Sequence, residues 1–255
     1  MSYQTIMFES KGPVGVLTLN RPERINAMNY VMRDELRAFF LERLTDLEHR
    51  VLVMTGAGKG FCSGLDLKDS VIATDANQYT PKVAYELQQR FSDVIVFMRR
   101  CPQPIIAAVN GAAVGAGLSV AMAGDVRLAA PEARFSAAYI NIGTGGADMG
   151  SSWLFTREVG AGNANRYLLT GDFFDAAEAL RIGFVQAIVP KEQLIEEALK
   201  MARNMAQKSP LGLRLTKEAL DRNQGAASLE DAIRLEDRNQ AMCIAELAAG
   251  AKGKK

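Results

Sequence analysis

The stretch Pro104-Ile105-Ile106-Ala107-Ala108-Val109-Asn110-Gly111-Ala112-Ala113-Val114-Gly115-Ala116-Gly117 carries the fold in miniature. Ile105 to Val109 is a fully apolar run of strand length, the pattern of a strand covered on both faces. Glycines then cluster from Gly111 to Gly117, where a backbone can turn sharply or come close to another group. A short helix of small residues follows. Strand, glycine turn and helix in succession are the repeating unit of an α/β protein.

The same grammar extends outward. Upstream, Val14 to Leu19 reads as a strand closed by the turn signal Asn20-Arg21-Pro22. Met32, Leu36, Phe40, Leu44 and Leu47 recur at helical spacing and predict one long helix. Arg50 to Thr55 is a further buried strand, ended by Gly56-Ala57-Gly58-Lys59-Gly60. Residues 71–100 read as a helix, with Val83, Leu87, Phe91, Val94 and Met98 on one face. Downstream come short strands at 125–129 and 133–137, then a second glycine loop at 143–150. From Ser151 the chain is mostly helical, with a strand-like run from Gly183 to Val189 and a final helix from Leu229 to Leu247.

Composition excludes several functions. Thirty basic residues oppose twenty-nine acidic ones in 255, and the charges do not segregate, so no nucleic-acid partner is expected. His49 is the single histidine, which removes two-histidine zinc sites and leaves imidazole catalysis without a base elsewhere; no metal site is expected. In Leu47-Glu48-His49-Arg50 it reads as a solvated histidine at a helix end. Cys62, Cys101 and Cys243 are odd in number and lack a Cys-x-x-Cys spacing, which points to a reducing, cytoplasmic setting. The N-terminus has no signal-peptide pattern, and no apolar run reaches the ~20 residues of a membrane span.

The glycine loops at 56–64, 111–117 and 143–150 invite a nucleotide reading. Gly56-Ala57-Gly58-Lys59-Gly60-Phe61 lacks the hydroxyl residue that follows the lysine of a phosphate loop, and no loop has the dinucleotide spacing G-x-G-x-x-G. Glycine turns at strand ends also expose backbone N–H groups. Two such turns facing each other can hold a developing negative charge, and a helix opening at Gly115-Ala116-Gly117 favours an anion.

The ordered motifs resemble the crotonase (enoyl-CoA hydratase/isomerase) superfamily over nearly the whole chain. They are Val16-Leu17-Thr18-Leu19-Asn20-Arg21-Pro22-Glu23, then Thr55-Gly56 through Phe61-Cys62-Ser63-Gly64-Leu65-Asp66-Leu67, then Pro104 to Gly117. Phe135, Gly143, Gly150-Ser151-Ser152 and the run from Ser209-Pro210 to Thr216-Lys217 also fit. The resemblance implies an α/β spiral of ββα units with a C-terminal helical trimerisation region. Residues 1–190 would form the acyl-CoA-binding core, and residues 191–255 the helical oligomerisation region of a homotrimer or hexamer. It implies an acyl-CoA thioester substrate whose carbonyl sits between the N–H groups of Leu65 and Ala116, with no tightly bound cofactor. Coenzyme A would run past Arg24, Ala27, Cys62, Ser63, Gly64, Asp66 and Leu67, with Cys62 a small residue beside the adenine and not a nucleophile.

The chain departs from the resemblance in its chemistry. Where hydratases of the family place two glutamates around one water, this sequence has Ser119 and Tyr139. Neither is a base near neutral pH. Counting back from Arg157-Glu158-Val159-Gly160, Asp148 falls where dienoyl-CoA isomerases and 4-chlorobenzoyl-CoA dehalogenase carry a catalytic aspartate. Counting forward from Gly143 requires a one-residue insertion in 144–147. A single carboxylate among Ile142, Ala147 and Met149 can move a proton between carbons, which favours double-bond isomerisation over hydration. The plain alternative is an N-cap aspartate for a helix beginning at Met149. Other readings are thioester hydrolysis or dehalogenase-like chemistry with Asp148 as nucleophile, and a non-catalytic acyl-CoA- or RNA-binding protein. Tyr139 reads as a donor to substrate or as core, and Trp153 as core or pocket wall. The segment 68–90 offers Val71, Ile72, Tyr79, Val83 and Tyr85 as walls of the acyl pocket. Ala248 to Lys255 reads as a solvated tail in place of the family's last helix, which puts the adenine-end contacts in question.

Overall fold

The structure, a computed structural model, describes residues 3–69 and 80–252. In chain order the strands are β1 (Ile6–Lys11), β2 (Val14–Leu19), β3 (Val51–Gly56), β4 (Ile105–Val109), β5 (Ala113–Val114), β6 (Val126–Ala129), β7 (Arg134–Ser136), β8 (Phe174–Asp175) and β9 (Ala187–Ile188). The helices are α1 (Tyr30–Arg43), α2 (Pro81–Arg100), α3 (Ala116–Ala123), α4 (Ser151–Thr170), α5 (Ala176–Arg181), α6 (Leu194–Ala206), α7 (Pro210–Asn223) and α8 (Leu229–Lys252). A six-stranded sheet runs β1-β2-β3-β4-β6-β9, and a three-stranded sheet runs β5-β7-β8. Only the β1–β2 pair of the large sheet is antiparallel.

The apolar runs of β3 and β4 are continuous because both faces of the sheet are covered. Leu52, Met54, Ile105, Ala107 and Val109 face one core, shared with α1 to α5. Val51, Val53, Ile106 and Ala108 alternate with them and face a second core. α6 closes that second core with Leu194, Ala198, Leu199, Ala202 and Ala206. The proposed boundary at residue 190 falls within a packed unit, because α6 packs on the sheet and Leu213 of α7 reaches the same core. α7 is tied back by charge: Lys217 Nζ donates to Asp125 Oδ2 at 2.7 Å and to the Gln103 carbonyl at 2.9 Å. Arg99 reaches Asp221 at 2.7 Å and Asp125 at 3.3 Å.

Several local expectations change. α1 stops at Arg43, so Leu47 leaves the helical stripe and is 80% exposed. His49 is neither at a helix end nor solvated. It is 7% exposed, with Nδ1 2.8 Å from Asp46 Oδ2, Nε2 3.0 Å from Ser10 Oγ and its ring edge-on to Phe8. Asp46 also pairs with Arg43 at 3.0 Å, so the turn from α1 into β3 is closed by polar contacts that a reading of helical periodicity does not see. α2 begins at Pro81, behind a Thr80 cap whose hydroxyl accepts from Val83 N; residues 70–79, including Val71, Ile72 and Tyr79, lie outside the described residues. Trp153 is 50% exposed, and its ring is covered by the Arg157 guanidinium, 3.2 Å from the ring centroid, in place of a core. α8 continues through Lys252, so helix replaces most of the tail expected after Leu247. No helix among the described residues is long and apolar enough to cross a membrane.

Candidate active site

The loops leaving the ends of β3 and β4 are stitched together before they reach the site. Asn110 donates its amide to the carbonyls of Gly56 and Gly58 at 2.9 and 3.2 Å. Asn26 donates to Ala57 and Gly60, each at 2.9 Å. Cys62 N donates to Ala112 O at 2.9 Å and Val114 N to Cys62 O at 3.0 Å, which sets the two loops side by side in parallel register. The approach is too tight for side chains. A Cβ on Gly117 would lie 2.0 Å from Cys62 O. One on Gly64 (φ +100) would lie 2.8 Å from Val114 O and 3.7 Å from Ala116 N.

This packing directs two backbone donors. Met28 N donates to Gly64 O at 2.7 Å and Asp66 N to Met28 O at 2.9 Å, so the flanking groups of Leu65 are spent on Met28. The Leu65 N–H is left on the opposite side of the ribbon. Ala116 is the first residue of α3, where N–H groups have no intrahelical acceptor. Neither N–H has a partner among the described residues. Both residues line a cavity of about 610 Å³, whose walls include Tyr30, Leu87, Phe91, Ala138, Tyr139, Ile142 and Ala147. Of the residues expected on the acyl wall, Val83 and Tyr85 are absent from this lining; Ala84, Leu87, Gln88 and Phe91 present the helix face that turns inward.

Asp148 is the only acidic residue among the described residues of that lining. It is not the N-cap of α4, which is Gly150. Its backbone N–H bonds Ser151 Oγ at 3.0 Å, and its Oδ1 accepts from Met149 N at 2.6 Å and from Gln88 Nε2 at 2.5 Å. Met149 sits in the left-handed region (φ 46), a strained conformation for that residue immediately beside the carboxylate. Burial raises the Asp148 carboxyl above its usual range, and the Met149 N–H offsets part of that rise.

Ser119 and Tyr139 meet each other. The Ser119 hydroxyl and the Tyr139 phenol form a buried hydrogen bond, and Ser119 Oγ also donates to the Asp148 carbonyl at 3.2 Å. With the serine proton given to that carbonyl, the phenol donates to Ser119. Burial pushes the phenol well above its ordinary value, so it stays protonated.

On the other side of Leu65, Asp66 is a buried hub. Its Oδ2 pairs with Arg21 at 3.0 Å and its Oδ1 with Arg24 at 2.9 Å. Burial alone would raise its pKa, but the hydrogen bonds from Arg24 and Arg21 outweigh that and hold it at about 2. Ser63 Oγ donates to Arg24 O at 3.3 Å, and Leu67 is exposed at the cavity. Ala27 is buried. Cys62 is fully buried, and burial raises its thiol to about 11. The side chains of Cys62 and Asp66 thus lie behind the surface expected to meet a ligand, because one packs between the loops and the other anchors arginines. Sequence reading missed Arg21 and Gln88. Gln88 follows Ala84 by four residues and precedes Phe91 by three, so helical spacing alone puts it on the inward face.

Comparison with known proteins gives the family. Residues 9–253 match the enoyl-CoA hydratase/isomerase family. A Mycobacterium bovis protein named probable enoyl-CoA hydratase is 41% identical over 228 residues, 89% of this chain and 80% of that protein. The 1,2-epoxyphenylacetyl-CoA isomerase of Escherichia coli is 36% identical over 82% of this chain and 78% of its own. A crystal structure of enoyl-CoA hydratase from Bacillus anthracis superposes with a TM-score of 0.88 at 27% identity, covering 99% of this chain and 97% of that one. With its crotonase fold and its match along nearly the whole chain, this chain belongs to the enoyl-CoA hydratase/isomerase family.

Proposed function

We propose that the protein isomerises the double bond of an enoyl-CoA thioester, with Asp148 as the single acid/base. One observation carries this reading: Asp148 is the only carboxylate among the described residues lining the cavity. The positions that hold the hydratase glutamates are occupied by Ser119 and Tyr139, whose hydroxyls are engaged with each other. Water addition needs a base for the water and an acid for the carbon, two tasks commonly shared by a pair of carboxylates. Isomerisation needs one group that takes a proton from one carbon and returns it to another.

The Leu65 and Ala116 N–H groups donate hydrogen bonds to the thioester oxygen and stabilise the enolate that forms when the proton leaves. Arg24, held by Asp66, supplies a fixed positive charge for the phosphates of coenzyme A. Ala27, Ser63, Gly64 and Leu67 supply the adjoining surface, with Cys62 beneath it. The free thiols of Cys62, Cys101 and Cys243 fit a reducing, cytoplasmic setting.

The α7–α8 pair leaves Leu220, Ile233, Ile244 and Leu247 exposed, the last three along one side of α8, and we assign these apolar residues to self-association as a trimer or hexamer. Asp148→Asn is expected to lower kcat by about 10²–10⁴-fold with little change in KM, measured on a 3-enoyl-CoA. Normal turnover by this variant, or release of free coenzyme A detected with a thiol reagent, defeats the proposal.

A further inference from the structure

We infer that Gln88 is a positioning residue for Asp148: from α2 it fixes one carboxylate oxygen, so that only the other, Oδ2, carries the proton. This deepens the isomerase reading and rests on it. The carboxylate is bonded asymmetrically. Oδ1 accepts two N–H groups, from Met149 at 2.6 Å and Gln88 Nε2 at 2.5 Å, while Oδ2 has no partner among the described residues. A carboxylate has no proton to give, so the Gln88 amide must present nitrogen, not oxygen. When Asp148 takes up a proton, Oδ1 remains the acceptor of both bonds and Oδ2 becomes the hydroxyl. The bridge therefore persists in both states of a proton-transfer cycle, and the carboxyl group does not have to rotate between steps.

The neighbours leave this bond room to act. α2 contributes Gln88, α3 contributes Ser119 to the Asp148 carbonyl, α4 contributes Ser151 to the Asp148 N–H, and the turn at 139–142 contributes Tyr139. Of these only Tyr139 titrates, and its burial keeps it neutral. No charged side chain forms an ion pair with Asp148 among the described residues. Burial and the Met149 N–H act on the group's proton affinity, and the Gln88 amide is a second neutral donor on the same oxygen. Gln88 is exposed on the first half of α2, so its substitution leaves the packed core untouched.

A charge series at position 88 tests this. The Asp148 carboxyl is titrated by NMR in protein labelled with carbon-13 at the aspartate side chains, with Asp148→Asn as the assignment control. The acid limb of kcat/KM is measured on a 3-enoyl-CoA in parallel. Gln88→Met removes the donor at similar size and is expected to raise the carboxyl's proton affinity about tenfold, moving the acid limb up by about one pH unit. Gln88→Glu moves it further up, because two carboxylates then share the site. Gln88→Lys moves it down. The two charged variants calibrate how strongly position 88 couples to the carboxyl, and Gln88→Met alone isolates the native hydrogen bond. Unchanged titration in Gln88→Met overturns the role of Gln88 even if Asp148→Asn is inactive. Full activity of Asp148→Asn overturns the base reading instead, and the NMR titration still decides whether Gln88 sets the proton affinity.

Discussion

Asp66 and Asp148 lie on either side of the Leu65 donor, and their surroundings drive them in opposite directions. Asp66 is held at about 2 by Arg21 and Arg24 after those bonds overcome its burial. An unfolded aspartate titrates near about 3.9. The folded value is the lower one, so Asp66 contributes stability above about pH 4 and loses it as pH falls through 2. Asp66→Asn is expected to cost roughly 1–3 kcal/mol near neutral pH in urea unfolding. Its deficit against the wild type should shrink in acid. A deficit independent of pH would mean that the ion pairs contribute nothing to folding. Asp148 is raised by burial, with no ion-pair partner among the described residues to offset it.

At the scale of elements, the site depends on how closely two loops approach. Gly117→Ala places a methyl against Cys62 O and must push the β3 and β4 loops apart. The expected cost is about 1–3 kcal/mol in stability. With the two donors displaced, kcat should fall by on the order of 10²-fold. Gly162→Ala in α4 meets nothing within 4 Å and should leave both quantities intact, which separates crowding from a general loss of glycine. Equal behaviour of the two variants would contradict the close-approach account.

This is also the scale at which the sequence is most legible. β2 and β4 match their apolar runs because strands covered on both faces must be apolar throughout. The ends of helices are harder to read. α1 stops before Leu47, where Asp46 and His49 form a local polar turn whose further partner, Ser10, is distant in sequence. Motif spacing points to Asp148, which lines the cavity. Its partner Gln88, 60 residues away, and the mutual bond of Ser119 and Tyr139 exist only once α2, α3 and the 139–142 turn have packed.

For the whole molecule, the outer pair α7 and α8 is anchored by Lys217 and Arg99, yet leaves Leu247 70% exposed and Ile244 nearly as open. Apolar residues arrayed along one helix need a cover. Sedimentation velocity should find the wild type as a trimer or a hexamer. The double variant Ile244→Asp/Leu247→Asp should shift the population toward monomer at equal concentration. A wild type that sediments as a monomer would remove the self-association assignment without touching the cavity chemistry.

On the proposed isomerase reading, one carboxylate with two backbone donors moves a proton and does not add water. The direct test offers the wild-type protein 3-enoyl-CoA, crotonyl-CoA, dienoyl-CoA and aryl-CoA thioesters and follows each by mass spectrometry and ultraviolet absorbance. The account predicts that 3-enoyl-CoA becomes conjugated 2-enoyl-CoA with no change in mass, while crotonyl-CoA gains no water at a comparable rate. Rapid conversion of crotonyl-CoA to a product heavier by one water would contradict it.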